Sequence, residues 1–226
     1  IVRLFSNTKV FTNVLALTLF EKGKFLLNDP ISDYLPEFLN PVVGFFTNNG
    51  TFATRPASSP IRVKDLMSMS SGLTYGTEMA GDENSKTNIL IQRQVDALEA
   101  EGGYSVRDFS KALAGVPLLF DPGTQWHYGY SHDILGALIE VVADMSFGDY
   151  LEKAICSPLG LPDTSFFLAP EKAARLARQY HAPDASGNLS LSEDLDFSYD
   201  PAHKFQSGGA GLLSTMADFS RFAAML

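Results

Sequence analysis

The sequence predicts an α+β domain in which helices dominate and strands are few and short. Apolar residues recur at helical spacing along most of the chain, whereas only short runs are typical of strands. The chain has 226 residues, 45% of them hydrophobic, which suits one large globular domain or two small ones. Gly and Pro occur at ordinary frequency and no internal repeat is visible, which excludes collagen-like and low-complexity chains.

Helices are predicted where apolar side chains repeat every three to four residues and capping residues mark the ends. Ser6 is expected to be the N-cap of the first helix, which a Gly at position 23 ends. Thr215 is expected to cap the last helix, with Asp218 at its third position. In chain order the predicted helices are residues 6–22, 61–69, 87–100, 106–114, 133–143, 147–156 and the segment after Thr215.

The remaining segments are predicted to be short strands, turns and loops. Residues 1–5 and 51–55 are expected to form strands, and the apolar run 42–46 leads into an Asn-Asn-Gly turn. The polar segment 77–86 and the Ser-, Asp- and Pro-rich segment 182–201 are expected to be loops. Residues 208–211, Gly-Gly-Ala-Gly, are expected to form a tight turn beside a cleft.

Charge and composition exclude several classes of partner. The formal net charge is −9, which disfavours nucleic acid because phosphates are held chiefly by Lys and Arg. The apolar run 134–143 is shorter than a membrane helix and contains Glu140. Cys156 is the single cysteine, so no internal disulfide is possible, and we expect a buried structural thiol. The four histidines show no metal-ligand spacing, so no metal site is predicted.

Both ends of the chain carry apolar residues. Residues 1–5 are expected to need a strand partner, because unpaired backbone groups beside a core are costly. The last helix has no stop signal, and Phe222, Met225 and Leu226 are expected to pack against something outside this chain. The sequence therefore predicts an internal piece of a longer protein, with an exposed apolar flank near residues 1–5.

A Ser-x-x-Lys motif offers a candidate nucleophile. Ser6 and Lys9 lie three residues apart, so their side chains share one helix face. A helix N-terminus favours a developing oxyanion, and a neighbouring lysine controls the serine proton. The alternative interpretation is an N-cap serine beside a solvated lysine. There is no Gly-x-Ser-x-Gly, so an α/β-hydrolase nucleophile elbow is excluded.

Further motifs follow the Ser-x-x-Lys in a characteristic order. They are residues 21–24 (Glu-Lys-Gly-Lys), 27–31 (Leu-Asn-Asp-Pro-Ile), 34–38 (Tyr-Leu-Pro-Glu-Phe), 61–66 (Ile-Arg-Val-Lys-Asp-Leu), 71–73 (Ser-Gly-Leu), 121–123 (Asp-Pro-Gly), 128–136, 158–164 (Pro-Leu-Gly-Leu-Pro-Asp-Thr) and 207–212. In this order the chain resembles the serine β-lactamase and penicillin-binding protein superfamily. Within it, the chain resembles the class C β-lactamase-like group, which includes family VIII carboxylesterases and related acyltransferases.

The resemblance implies a fold and a set of site residues. The fold would be β-lactamase/transpeptidase-like, with residues 1–226 forming a single domain that is mainly the helical subdomain and lacks sheet-forming flanks. The resemblance implies catalytic roles for Ser6, Lys9 and Tyr128, with Tyr130 as the alternative catalytic tyrosine. Substrate binding would involve Tyr130, Gly208 and Gly209. No metal or organic cofactor is implied.

Two departures from the family pattern refine the expected function. Tyr130 stands where the β-lactamases have an Asn expected to hold the amide of the substrate, which favours esters. No Lys-Thr-Gly, His-x-Gly or Trp-x-Gly follows Tyr128, so the strand that supplies one oxyanion-hole N–H is expected to lie outside these residues. Residues 1–226 alone are therefore expected to be inactive.

The sequence thus predicts a serine hydrolase that acts by acyl transfer on a small-molecule ester or amide. A carboxylesterase for small or medium acyl esters is favoured. A D-alanyl peptidase or an acyltransferase comes second, and a true β-lactamase third. The alternative from another class is a noncatalytic binding or sensor module.

Overall fold

A computed structural model describes residues 1–80, 85–184, 186–192 and 199–226. Helices make up most of the regular structure, as predicted. In chain order they are α1 (Thr8–Glu21), α2 (Val63–Met67), α3 (Thr77–Ala80), α4 (Lys86–Glu101), α5 (Val106–Ala114), α6 (Ser131–Ala143), α7 (Phe147–Leu151), α8 (Ser157–Leu159) and α9 (Met216–Met225).

Two short antiparallel strand pairs accompany the helices. The strands are β1 (Val2–Arg3), β2 (Val42–Phe46), β3 (Phe52–Pro56) and β4 (Leu213–Ser214). β2 and β3 form a hairpin, and β1 pairs with β4 so that Val2 faces Ser214. Val2 and Arg3 therefore have one strand partner within the chain, β4, and the expectation of further strands outside these residues stays a prediction. Val2 and Phe5 nevertheless stay about 40% exposed, at 44% and 40%.

Helix α6 forms the centre of the core. Residues 131–139 of this helix are all buried, and α1, α2, α5 and α7 contact it. A helix that is apolar around most of its circumference is stable only when other elements surround it. The polar side chains of its first turn, residues 131–133, are consequently buried among these neighbours, close to the start of α1.

Helix α9 packs onto α1 through aromatic rings. Thr215 caps it as predicted, accepting a hydrogen bond from the Asp218 backbone N–H at 3.2 Å. Phe222 is fully buried and its ring stacks on Phe11, with 3.6 Å between centroids. The expectation that Phe222 packs against something outside the chain is therefore wrong, because α1 supplies its partner. Leu226 is exposed.

Several element boundaries differ from those predicted. α2 is shorter than residues 61–69, and Met69 has a left-handed φ of 59° that an α-helix does not contain. The predicted helix 147–156 is α7 followed by a π-helical turn, Glu152–Cys156. The predicted loop 77–86 contains the short helix α3, and its residues 81–84 lie outside the described residues, as do 185 and 193–198 in the predicted loop 182–201.

Cys156 is the buried structural thiol that the sequence predicts. It is 1% exposed, and burial raises its pKa to about 12. A thiol that stays protonated in this way is a poor nucleophile.

Candidate active site

Ser6 lies where β1 turns into α1. It is the middle residue of a 3₁₀ turn, Phe5–Asn7, and α1 begins only at Thr8. Ser6 is therefore not the N-cap that the sequence predicted, since its side chain caps no backbone N–H. Phe5 has a left-handed φ of 46°, an uncommon conformation for a bulky residue. This sharp bend leaves Ser6 exposed at the mouth of the site.

Lys9 is buried in the first turn of α1, with 8% of its surface exposed. Its Nζ donates to Ser6 Oγ at 3.1 Å and to the Gly209 carbonyl at 2.7 Å. These two hydrogen bonds aim the ammonium group at the serine hydroxyl. The solvated-lysine alternative is excluded by this burial.

Asp133 supports Lys9 from the start of α6. Its carboxyl group is buried and accepts hydrogen bonds from Ser207 Oγ at 2.6 Å and from the Gly209 N–H at 3.2 Å. Burial raises the pKa of Asp133, while the Ser207 hydrogen bond and the charge of Lys9 oppose that rise. Residues 208–211 form the glycine turn. Asp133 therefore joins this glycine turn to α6 and balances the ammonium group of Lys9.

Tyr128 completes the contacts to Ser6. Its hydroxyl donates to Ser6 Oγ at 2.5 Å, and Lys9 Nζ lies 4.6 Å from the centroid of its ring. Partial burial raises the pKa of Tyr128, but hydrogen bonding with Lys9 and Ser6 and the positive charge of Lys9 outweigh it, so the pKa is lowered. Ser6, Lys9 and Tyr128 thus converge at hydrogen-bonding distance.

Tyr130 points away from Ser6. Its hydroxyl approaches Met79 Sδ at 3.9 Å, and its ring packs at right angles to Tyr75 and Phe109. Burial raises the pKa of Tyr130, and the negative charge of Asp133 raises it further. Of the two tyrosines that the sequence left open, Tyr128 is therefore the one whose hydroxyl contacts Ser6.

The two glycines of the turn hold the site together by close backbone approach. The Gly208 carbonyl accepts from Thr12 Oγ1 at 2.7 Å, and a Cβ at Gly208 would lie 2.3 Å from the His132 carbonyl oxygen. A Cβ at Gly209 would lie 2.6 Å from Asp133 Oδ2. These contacts position Lys9. Gly209, rather than Gly208, also lines the neighbouring cavity.

A cavity of about 150 Å³ lies next to the three converging residues. Tyr75 connects the cavity to these residues, because its buried ring contacts both Tyr128, which reaches Ser6, and Tyr130, which lines the cavity. Sequence reasoning missed Tyr75, since no periodicity or motif marks it. It also missed the role of Asp133, although a lone acidic residue opening a long apolar helix is a usable signal.

The described residues contain neither a metal cluster nor a membrane-spanning helix. No three of their His, Cys, Asp or Glu side chains are placed to share a metal ion. Within the same part of the chain, every helix falls short of the length and apolarity that crossing a membrane requires.

Comparison with known proteins reveals clear relatives. A family model described as beta-lactamase matches residues 1–226. The chain is similar to monacolin J acid methylbutanoyltransferase of Aspergillus terreus, with 30% identity over 94% of this chain and 49% of that protein. It is similar to lovastatin esterase of Penicillium rubens, with 27% identity over 98% of this chain and 53% of that protein.

A solved structure shares the architecture. Unliganded simvastatin synthase from Aspergillus terreus superposes with a TM-score of 0.75 and 28% identity, covering 98% of this chain and 52% of that one. The chain spans about half the length of the curated relatives it matches.

Proposed function

The chain belongs to the β-lactamase family, and on that premise we propose that it is a serine hydrolase that acts by acyl transfer, most specifically a carboxylesterase. Its helix-rich fold with few short strands is the β-lactamase/transpeptidase fold that the sequence predicted. Esterases and acyltransferases occur among its relatives, as the resemblance implied. One observation carries the proposal: Ser6 Oγ lies between the Tyr128 hydroxyl and Lys9 Nζ, at 2.5 and 3.1 Å.

The first step is attack by Ser6 on the ester carbonyl. Tyr128 in its phenolate form takes the Ser6 proton while Oγ bonds to the carbonyl carbon. The ammonium group of Lys9 stabilises that phenolate, which is why the pKa of Tyr128 is lowered despite partial burial. The backbone N–H of Ser6 is one donor to the resulting oxyanion.

The proton then passes from Tyr128 to the leaving alcohol oxygen as the carbon–oxygen bond breaks, which leaves an acyl group on Ser6. Water then attacks the acyl carbon. Tyr128 accepts a proton from the water as the water oxygen bonds to that carbon, and returns it to Ser6 Oγ as the bond between Oγ and the carbon breaks and the acid departs. Within this cycle Ser6 and Tyr128 carry every proton and bond change together with the ester and water, and the second donor to the oxyanion is the one group that these three steps leave to be supplied.

A nucleophile test distinguishes this proposal from a noncatalytic binding or sensor module. In the full-length protein, Ser6→Ala should lower kcat for p-nitrophenyl butyrate by about 1000-fold or more. The matched control is Ser186→Ala, because Ser186 is exposed in another part of the chain. A fluorophosphonate probe should label Ser6, as read by peptide mass spectrometry. Labelling elsewhere, or full activity without the Ser6 hydroxyl, would contradict the proposal.

An acyltransferase is the second candidate, favoured by the relative named as a methylbutanoyltransferase. The same acyl-enzyme would then be released by an alcohol instead of water. Adding a primary alcohol to the p-nitrophenyl butyrate reaction separates the two activities. A butyrate ester as the main product indicates an acyltransferase, whereas free butyrate indicates an esterase.

A further inference from the structure

The cavity beside the three converging residues is built mainly from aromatic rings. Its aromatic lining consists of Tyr75, Tyr104, Phe109, Tyr130 and Phe205. These rings contact one another at centroid distances from 4.5 to 6.3 Å, mostly tilted or at right angles. An apolar cavity of about 150 Å³ holds a group the size of benzene. The site therefore accommodates one compact group of a bound ligand.

The charged side chains around this cavity are all acidic. Glu78, Glu99 and Asp133 line it, and its lining contains no Lys, Arg or His. The carboxylates of Glu78 and Glu99 form no ion pair within 4.0 Å among the described residues. The residues outside the description, 81–84, 185 and 193–198, include no basic side chain. Lys9 is directed at Ser6 and Gly209 and does not line the cavity, but its charge offsets that of Asp133. The unbalanced negative charge around the cavity therefore comes from Glu78 and Glu99.

The acidic side chains raise the pKa of a tyrosine in the cavity wall. Burial raises the pKa of Tyr104 to about 12, and the charges of Glu99 and Asp133 add to the rise. Charges that disfavour a phenolate at this position favour a cation. Aromatic faces attract a cation as well, through the ring quadrupole, and this combination recognises substituted ammonium groups.

We propose that this cavity is a subsite for a substituted ammonium group, such as trimethylammonium. Tyr75 places the cavity beside Tyr128, whose hydroxyl contacts Ser6, since the two rings lie 5.5 Å apart. Resting on the proposed function, the substrate class is therefore an ester that carries a compact cationic group. Choline esters are the simplest members of that class.

The first experiment compares two esters of equal shape and different charge. Acetylcholine and 3,3-dimethylbutyl acetate differ by a positively charged nitrogen in place of a carbon. The full-length protein should have a kcat/KM about tenfold higher for acetylcholine, the size of effect expected for a desolvated cation on aromatic rings. Glu99→Gln should largely remove that advantage. Glu101→Gln is the matched control, since Glu101 ends the same helix outside the cavity lining and changes the net charge equally.

The second experiment measures binding without turnover. Calorimetry on the Ser6→Ala variant compares choline with 3,3-dimethylbutan-1-ol, its neutral counterpart. Choline should bind more tightly, and adding Glu99→Gln should weaken choline binding alone by about tenfold. Equal binding of the two alcohols, or choline binding that is unchanged by Glu99→Gln, would overturn the proposed subsite.

The two experiments separate the subsite from the proposed function. Choline binding that depends on Glu99, with no ester turned over, supports the ammonium subsite and contradicts the hydrolase. Equal turnover of the two esters, with no preference for choline in calorimetry, supports the hydrolase and overturns the subsite.

Discussion

At the residue scale, Tyr128 and Tyr130 differ in the surroundings of their hydroxyl groups. The hydroxyl of Tyr128 donates a hydrogen bond to Ser6 and lies near the buried ammonium group of Lys9, which lowers the pKa of Tyr128. The hydroxyl of Tyr130 lies in an apolar cavity near acidic groups, which raises its pKa. Two identical side chains, two positions apart, are thus suited to different tasks: proton transfer and cavity lining.

Paired substitutions test this difference. Tyr128→Phe removes the group that we propose accepts the Ser6 proton, so kcat should fall by about 100-fold to 10,000-fold. Tyr130→Phe removes a hydroxyl that does not contact Ser6 and should leave kcat for p-nitrophenyl butyrate within about threefold. Steady-state kinetics on both variants measures the contrast. A larger loss of kcat in Tyr130→Phe than in Tyr128→Phe would show that Tyr128 is not the proton-transfer residue.

The lowered pKa of Tyr128 also predicts how activity depends on pH. In the proposed mechanism the reactive form of Tyr128 is deprotonated, so kcat/KM should rise with pH through the pKa of Tyr128 and reach a plateau above it. Because the pKa is lowered, the midpoint should fall below about 10, the value of a free tyrosine. A pH profile with a neutral ester measures it. A midpoint at or above that value would exclude the phenolate as base.

Sequence reasoning predicted the contacts that local spacing encodes. Ser6 and Lys9 follow from helical spacing even though Ser6 lies in a 3₁₀ turn, because the turn continues directly into α1. The family motif order pointed to Tyr128. Tyr75 and Asp133 were missed as site residues because their partners are distant in sequence, as with Ser207, 74 residues from Asp133. A lone acidic residue at the start of an apolar helix marks Asp133 itself, but no pattern along the chain identifies its partners.

At the element scale, the glycine turn and α6 meet without intervening side chains. Gly208 touches the backbone of α6 at His132, and its carbonyl accepts from Thr12 in α1. Three segments of the chain therefore meet at a point where no Cβ fits. Glycine is therefore required at position 208 because an added Cβ would collide with neighbouring backbone, not because the backbone there must be flexible.

A methyl group at this junction should destabilise the fold. Gly208→Ala should lower the free energy of unfolding by about 1–3 kcal/mol, because backbone on both sides must shift. Gly115→Ala is the matched control, since Gly115 has a φ of −81° and no atom within 4 Å of an added Cβ. Its effect should stay within about 0.5 kcal/mol. Chemical denaturation measures both, and equal effects would contradict the proposed close packing.

At the scale of the whole molecule, apolar side chains remain on one flank. Val2, Phe5 and Met216 are exposed to 44%, 40% and 81%, and an apolar cavity of about 250 Å³ lies between Val2 and Phe219. Exposed apolar patches of this kind mark surfaces that bind something. We propose that sheet-forming segments outside these residues cover the flank and supply the second oxyanion donor.

Expression of residues 1–226 alone tests that proposal. The isolated chain should bind a hydrophobic dye such as ANS and should turn over p-nitrophenyl butyrate at least about 100-fold more slowly than the full-length protein, the usual effect of losing one oxyanion donor. The full-length protein is the control for both measurements. Full turnover by the isolated chain without dye binding would show that these residues need no further strands.

The contact between Lys9 and Gly209 joins residues 200 positions apart in the chain. Closing a loop of this length has an entropic cost, and a fold rich in such non-local contacts folds more slowly. Synthesis proceeds from the N-terminus at about 5–20 residues per second. Ser6 and Lys9 therefore leave the ribosome at least about ten seconds before the turn that orients Lys9. During that interval Lys9 lacks the Gly209 carbonyl that accepts its hydrogen bond in the folded chain.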